Sequence, residues 1–324
     1  MIGHNVWLEA NEMEWPNGKC FAFTIIDDTD EATVTNVKPI YDLLAELGIR
    51  TTKTVWAFPS RDEFGGESLS EKEYARFIKD IAEKGFEIGF HGAGSGAFKR
   101  EETLRALEMI RNLVGTYPSL YINHAHNAAN LYWNAKRFAF PMKVVYGLSG
   151  LISKDIRVAS QGEAETSPYF WGDFSKEHIK YIRNRTFTGI NTLKYDKAMP
   201  YRNRRTEKFS NYWFSSSDGY NCCQFLKVIT REHIDQLEKE QGCAILYTHF
   251  AYGFVDGDGQ VNEDFILRMN DLAGKNGWFA PASEILDYIQ SSRTEDICRN
   301  GLQEFCLDVR WAAERINRKI FGGE

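Results

Sequence analysis

Three carboxylates fall within four positions at Asp27, Asp28 and Asp30, directly after the apolar run Phe21 to Ile26. A strand that buries Phe21, Phe23 and Ile25 cannot bury adjacent charges as well, so the acids are expected at its C-terminal mouth. Successive residues point to different sides there, which lets one acid bind a cation while its neighbour handles protons. Four of the seven histidines, His91, His124, His126 and His249, also follow apolar strand-like sequence. Imidazole nitrogen and carboxylate oxygen are donors that zinc and similar ions take, and a catalytic ion keeps a position open for water. A lone histidine in such a place is ordinarily a hydrogen-bonded core residue. Four of them, set against a carboxylate pair, point to a metal or acid–base centre.

To bring these groups together, strands must alternate with helices. The sequence predicts a strand over 20–26, a helix over 35–47, a second strand over 51–58 and a helix opened by Ser70 with Glu73 as its capping-box partner. A short strand then delivers His91 into a glycine-rich loop, 101–113 is helical, and 120–127 forms a fourth strand. On that strand His124 and His126, two apart, are expected to face one side. The repeated alternation is the signature of parallel α/β architecture. Through 128–220 the pattern weakens, with strand candidates at 143–146 and 187–192. Regularity returns with a helix over 230–239, a strand over 243–249 and helices over 262–273 and 282–289. From Arg293 onward one or two terminal helices are expected to dock through Trp311, Ile316 and Ile320.

Composition narrows the function. The 324 residues are 43% hydrophobic and 26% charged, as in soluble globular proteins. A net charge of -6 provides no basic face for nucleic acid. The cluster Arg202, Arg204, Arg205 is short, is followed by Glu207, and reads as a solvated loop. Six scattered cysteines form no C-x-x-C pair. The N-terminus lacks the basic start and apolar core of a signal peptide, and no run reaches the length of a membrane span. The expectation is a cytoplasmic protein with reduced thiols, no membrane span and no nucleic-acid partner.

The motifs carry a resemblance. Thr24-Ile25-Ile26-Asp27-Asp28-Thr29 resembles the Thr-Phe-Asp-Asp-Gly opening of the polysaccharide deacetylase family (NodB-homology, carbohydrate esterase family 4), within the glycoside hydrolase/deacetylase superfamily. EKGFEIGFHGAGS with His91 is similar to that family's second motif, and Ile245-Leu246-Tyr247-Thr248-His249 to its last. GWFAPASEIL resembles the end of the family's barrel; the matches span about 20–290, with the middle third matching poorly. The resemblance implies an α/β fold, a distorted (β/α) barrel of seven strands over 20–292, after a lead-in of 1–19 and before a C-terminal helical extension of 293–324. It also implies a metal-dependent hydrolase that removes an acyl group from an amino sugar or related amide. Asp27 would be the general base, Asp28 and His91 ligands of a divalent ion, expected to be zinc, and His249 the general acid.

Two departures stand out. Ser95 occupies the place of the second motif's further histidine, so His126, or His124 as the alternative, is expected as third ligand. The third motif, INHAHNAANLYW, lacks the arginine that orients the base, leaving His124 or Asn127 to substitute. Asn127, Trp171, Asp173 and Tyr252 are the expected substrate-binding residues. The run Tyr169-Phe170-Trp171-Gly172-Asp173 suits stacking on a sugar ring, and suits a core segment equally. Trp213, Asp218 and Tyr220 could take the place of the fourth motif, and Tyr132 and Trp133 could line the mouth; His4, His178 and His233 read as structural. The substrate is expected to be a small molecule or an oligosaccharide. Two alternatives stay open: a metal-independent hydrolase of a C–N or glycosidic bond, the latter needing a second carboxylate roughly 5–10 Å away, and a barrel that only binds carbohydrate.

Overall fold

The seven residues Phe21–Asp27 form β1, and every one of them is buried. In the computed structural model, which describes residues 13–149 and 159–321, the remaining strands are β2 (Thr52–Val55), β3 (Glu87–Phe90), β4 (Leu120–Tyr121), β5 (Tyr181–Phe187), β6 (Arg202–Asn203), β7 (Tyr212–Asp218), β8 (Cys243–Thr248), β9 (Gly277–Phe279) and β10 (Cys298–Arg299). The helices are α1 (Val34–Glu46), α2 (Lys72–Glu83), α3 (Arg100–Val114), α4 (Met142–Ser149), α5 (Gly172–His178), α6 (Thr192–Tyr195), α7 (Cys222–Val228), α8 (Arg231–Lys239), α9 (Glu263–Ala273), α10 (Ala282–Ser291) and α11 (Gly301–Phe321).

Along one edge β1 pairs in parallel with β8 from Ala22 to Asp27. Its other edge is divided: Phe21–Phe23 pairs with β9, and Ile26 and Asp27 pair with Thr52 and Lys53 of β2. The order then runs β2-β3-β4-β5-β7-β8, so the ring closes as the seven-stranded parallel barrel that the resemblance implied, with β9 splayed from β1. Helices cover such a sheet, so its strands are apolar on both faces. On α2, Tyr74, Phe77, Ile78 and Ile81 are buried at helical spacing, each contributing about 1.5–3 kcal/mol. Among the described residues no helix is long and apolar enough to cross a membrane. All six cysteines are free thiols.

Several expectations are corrected. The Ser70–Glu73 capping box does not form, because Ser70 Oγ donates to the Ala57 carbonyl at 2.9 Å and ties the loop to the barrel. Glu71 caps the loop instead, accepting from the amide and the hydroxyl of Ser68 at 3.0 and 2.5 Å. The fourth strand stops at Tyr121. Beyond it side-chain amides replace the ladder: Leu131 N donates to Asn123 Oδ1 at 2.9 Å, and His124 N to Asn130 Oδ1 at 3.1 Å. The chain turns, His126 takes a φ of 57°, and His124 and His126 no longer share a strand face. Residues 143–146 lie in α4, with Val144 and Val145 exposed rather than in a sheet. Residues 187–192 begin at the end of β5 and run into Asn191, which caps α6.

One long helix, α11, closes the chain, where one or two were expected. Trp311 packs against Phe138 at 5.3 Å as a docking residue, but Ile316 is 56% exposed. Residues 1–12 of the lead-in, His4 among them, and the side chain of Ile320 lie outside the described residues.

Candidate active site

Every chemically interesting group reaches the same end of the barrel because each follows a strand. Asp28 and Asp30 follow β1, His91 follows β3 at once, His124 comes three residues after β4, and His249 follows β8. Gly92, at φ +94°, passes so close to Asn127 that a Cβ there would lie 2.9 Å from its Nδ2. That approach brings the loop after β3 against the loop after β4.

Asp30 is the centre. His124 Nε2 lies 3.0 Å and His91 Nε2 3.7 Å from its Oδ1, while His249 Nε2 lies 2.9 Å from its Oδ2. Each imidazole turns its other nitrogen to an acceptor: His91 Nδ1 to the Ile122 carbonyl at 3.1 Å, His249 Nδ1 to the Tyr220 carbonyl at 2.9 Å, and His124 Nδ1 to Ser95 Oγ at 3.4 Å. An acceptor at Nδ1 places the proton there and leaves Nε2 facing the centre. The rings are boxed by aromatics, with Trp56 stacked on His91 and Phe64 edge-on to His124 at 4.9 Å.

Electrostatics divides the histidines. Burial holds His91 down to about 4, so it is neutral at pH 7. Burial would lower His249 too, but its hydrogen bond to Asp30 and the negative charge there outweigh it and raise its pKa. For Asp30 burial acts upward, yet the imidazoles of His124 and His249 close against it hold the carboxyl well below its usual range. The result is a His249–Asp30 ion pair beside a neutral His91.

Asp30 Oδ1, His91 Nε2 and His124 Nε2 lie within 4.8 Å of one another, buried, and none has a hydrogen-bond partner. Two imidazole nitrogens and a carboxylate oxygen form a donor set that fits a divalent ion such as zinc. The grouping keeps the expected His91 and takes His124, the alternative to His126, with Asp30 in the place expected of Asp28. Asp28 is instead gripped by Arg183, whose two Nη atoms meet its two oxygens at 3.2 and 2.5 Å. His126, with its positive φ, stands outside the cluster and packs against Phe64 at 6.1 Å.

Asp27 lies beneath the site, fully buried beside its strand partner Lys53. Lys53 Nζ is 3.0 Å from its Oδ2, Tyr41 donates to the same oxygen at 3.1 Å, and the Phe250 amide donates to Oδ1 at 2.8 Å. Burial opposes the Lys53 charge, but Asp27 outweighs it and raises the ammonium's pKa. Both Asp27 oxygens are thus engaged, one of them by an ammonium and a phenol together, and the residue has no exposed surface.

Of the expected substrate-binding residues, two are close to the cluster. Asn127 Nδ2 is buried without a partner, and Tyr252 packs on His249 at 4.7 Å. With Tyr220 it lines a groove of about 880 Å³ that runs past Cys222, Leu226 and Asn262. The other two are elsewhere. Trp171 is wholly buried, donates to the Ala129 carbonyl at 2.6 Å and packs on Tyr121, so it is core. Asp173 is a surface residue paired with Arg100 at 2.6 Å. Trp213 is likewise buried, its indole donating to Thr206 and Ser210, while Asp218 lies 3.4 Å from Arg315 of α11. Tyr132 packs on Trp213 at 6.4 Å, and Trp133 lies under the Arg137 guanidinium. His178 packs on Tyr117 and His233 Nδ1 meets the Val228 carbonyl.

Sequence reasoning assigned no role to Asp30 or Arg183. For Asp30 the signal was its spacing from Asp28. For Arg183 it was a charge inside the strand sequence of β5.

No family model and no curated protein matches the sequence. Among solved structures, the chain is similar to Puue allantoinase at 11% identity and a TM-score of 0.53, covering 87% of this chain and 94% of that one. It is also similar to a probable polysaccharide deacetylase from Pseudomonas aeruginosa PAO1, at 12% identity and a TM-score of 0.51, covering 87% and 95%. At these identities the likeness is one of fold: the chain is built on the barrel of these two proteins, over nearly the whole of each.

Proposed function

We propose that the protein is a metal-dependent hydrolase of the deacetylase type, which removes an acyl group from an amino sugar or a related amide. The observation that carries this reading is the convergence of three buried, unpartnered ligand atoms from Asp30, His91 and His124. A divalent ion held by these three residues, zinc being the expected species, supplies a Lewis acid for the acyl oxygen and lowers the pKa of water.

The chain's own residues do the rest. Asp28 takes the proton of the attacking water on a carboxylate oxygen, and Arg183 fixes that carboxylate from both of its nitrogens. This is the orienting role that the resemblance gives to an arginine, here supplied from β5. His249, whose pKa is raised beside Asp30, gives its Nε2 proton to the departing amine. The roles expected of Asp27 and Asp28 thereby pass to Asp28 and Asp30. Asn127 Nδ2 is a spare donor for the substrate, and Tyr220 and Tyr252 offer ring faces to a sugar.

A second reading, metal-independent hydrolysis of a C–N bond, is favoured by the 2.9 Å bond between His249 Nε2 and Asp30 Oδ2, which is an acid–base couple in itself. The test is release of acetate from a panel of N-acetylated amino sugars by chelator-stripped and by zinc-loaded protein. Release by the loaded protein alone supports the first reading. Equal release by both supports the second, and release by neither contradicts both.

A further inference from the structure

Ser95 is the residue that stands where a ligand histidine was expected, and its surroundings give it another task. His91 and His249 each rest Nδ1 on a main-chain carbonyl; His124 alone rests it on a side chain, Ser95 Oγ at 3.4 Å. The same hydroxyl lies 2.5 Å from Asp62 Oδ1. An ionised carboxylate has no proton to give, so Ser95 donates to Asp62, and its lone pair is left to accept from His124 Nδ1–H.

Asp62 is held for this. Its Oδ1 also accepts from Ser60 Oγ at 3.1 Å and from the Phe64 amide at 3.2 Å. The Arg61 amide donates to the Ser95 carbonyl at 2.9 Å, and the Arg61 guanidinium lies over Phe98 at 3.8 Å while meeting Glu102 at 2.5 Å. The loop after β2 is thus fastened to the loop after β3, and Phe64 from the former covers His124.

We propose that Ser95 and Asp62 are positioning residues, a relay that fixes the Nδ1–H tautomer of His124 and aims its Nε2 at Asp30. Its consequence for metal rests on the reading of Asp30, His91 and His124 as ligands. Partners of this kind, one bond behind a ligand histidine, set ring orientation and basicity, and their loss typically costs about 10–100-fold in metal affinity. The serine is then no lost ligand. It serves the histidine that took over.

The test uses the full chain as wild type, Ser95→Ala, Ser95→Thr and Asp62→Asn. Imidazole ¹⁵N shifts of the metal-free proteins report each tautomer, with His91 as the internal control, and competition with a chromophoric chelator reports zinc affinity. We expect His124 to be Nδ1-protonated in wild type and Ser95→Thr. In Ser95→Ala and Asp62→Asn the proton should shift from Nδ1 toward Nε2, which faces the Asp30 carboxylate, with zinc bound about 10–100-fold more weakly and His91 unmoved. An unchanged His124 spectrum in Ser95→Ala overturns the relay, whatever happens to zinc. If the tautomer shifts as expected while wild type takes up no zinc, the relay stands and the metal reading alone fails.

Discussion

Two groups of buried charges are built into this barrel on different principles. Where α11 docks, Arg185 meets Asp308, Arg299 meets Asp196, and Glu304 lies 3.8 and 3.9 Å from Arg299 and Arg205. Each of those acids faces a guanidinium. At the mouth, Asp30 faces three imidazoles. A guanidinium keeps its protons and offers no lone pair, so the first group can only clamp the helix to the barrel. A neutral imidazole such as His91, whose Nδ1–H is spoken for, offers a lone pair at Nε2, while His249 is the charged partner of Asp30. Burial and charge are common to both groups; convergence of lone pairs belongs to the mouth alone. Even there, Asp27 with Lys53 is a clamp, one strand position below the chemistry.

Breaking the clamp should have the largest effect on stability. Asp308→Ala strands the buried Arg185 charge and is expected to cost about 3–5 kcal/mol in denaturant unfolding, with zinc affinity unchanged. A weakened zinc site with intact stability would merge the two groups.

Next comes acid. His91 is held down to about 4 in the folded chain against 6.5 unfolded. As pH falls from 6.5 toward 4 the unfolded chain takes the proton first, so the metal-free protein loses stability, by up to roughly 3 kcal/mol. His91→Gln should flatten that part of the unfolding profile. The sign reverses for His249: its raised pKa contributes stability fully below its unfolded value, lost as pH rises through the folded one.

Arg183→Lys keeps the charge but gives up the two-point hold on Asp28, and kcat should fall about 10–100-fold with KM and zinc affinity nearly unchanged. A change in KM alone would make Arg183 a binding residue. Smallest of all on the site, His126→Ala should leave zinc binding intact.

The barrel was legible because parallel strands between helices are apolar throughout: β1, β8 and the helices α1, α3, α8, α9 and α10 lie within a few residues of their predicted bounds. That polar groups gather at strand ends was legible for the same reason. Which acid does what was not. Asp27, Asp28 and Asp30 are alike on paper, and only their partners, Lys53 on the neighbouring strand, Arg183 from β5 and the histidines, separate them. His124 and His126 were indistinguishable while the segment read as a strand. The side chains of Asn123 and Asn130, which turn it, act through tertiary contacts that periodicity does not encode. The aromatic run to Asp173 misled because a ring that would stack on sugar is the same ring that fills a core.

The central claim is that Asp30, not Asp28, anchors the ion, and zinc stoichiometry of Asp30→Asn and Asp28→Asn beside the wild type tests it most directly. The account predicts about one zinc per chain in wild type and Asp28→Asn and none in Asp30→Asn. Zinc retained by Asp30→Asn and lost from Asp28→Asn would contradict it.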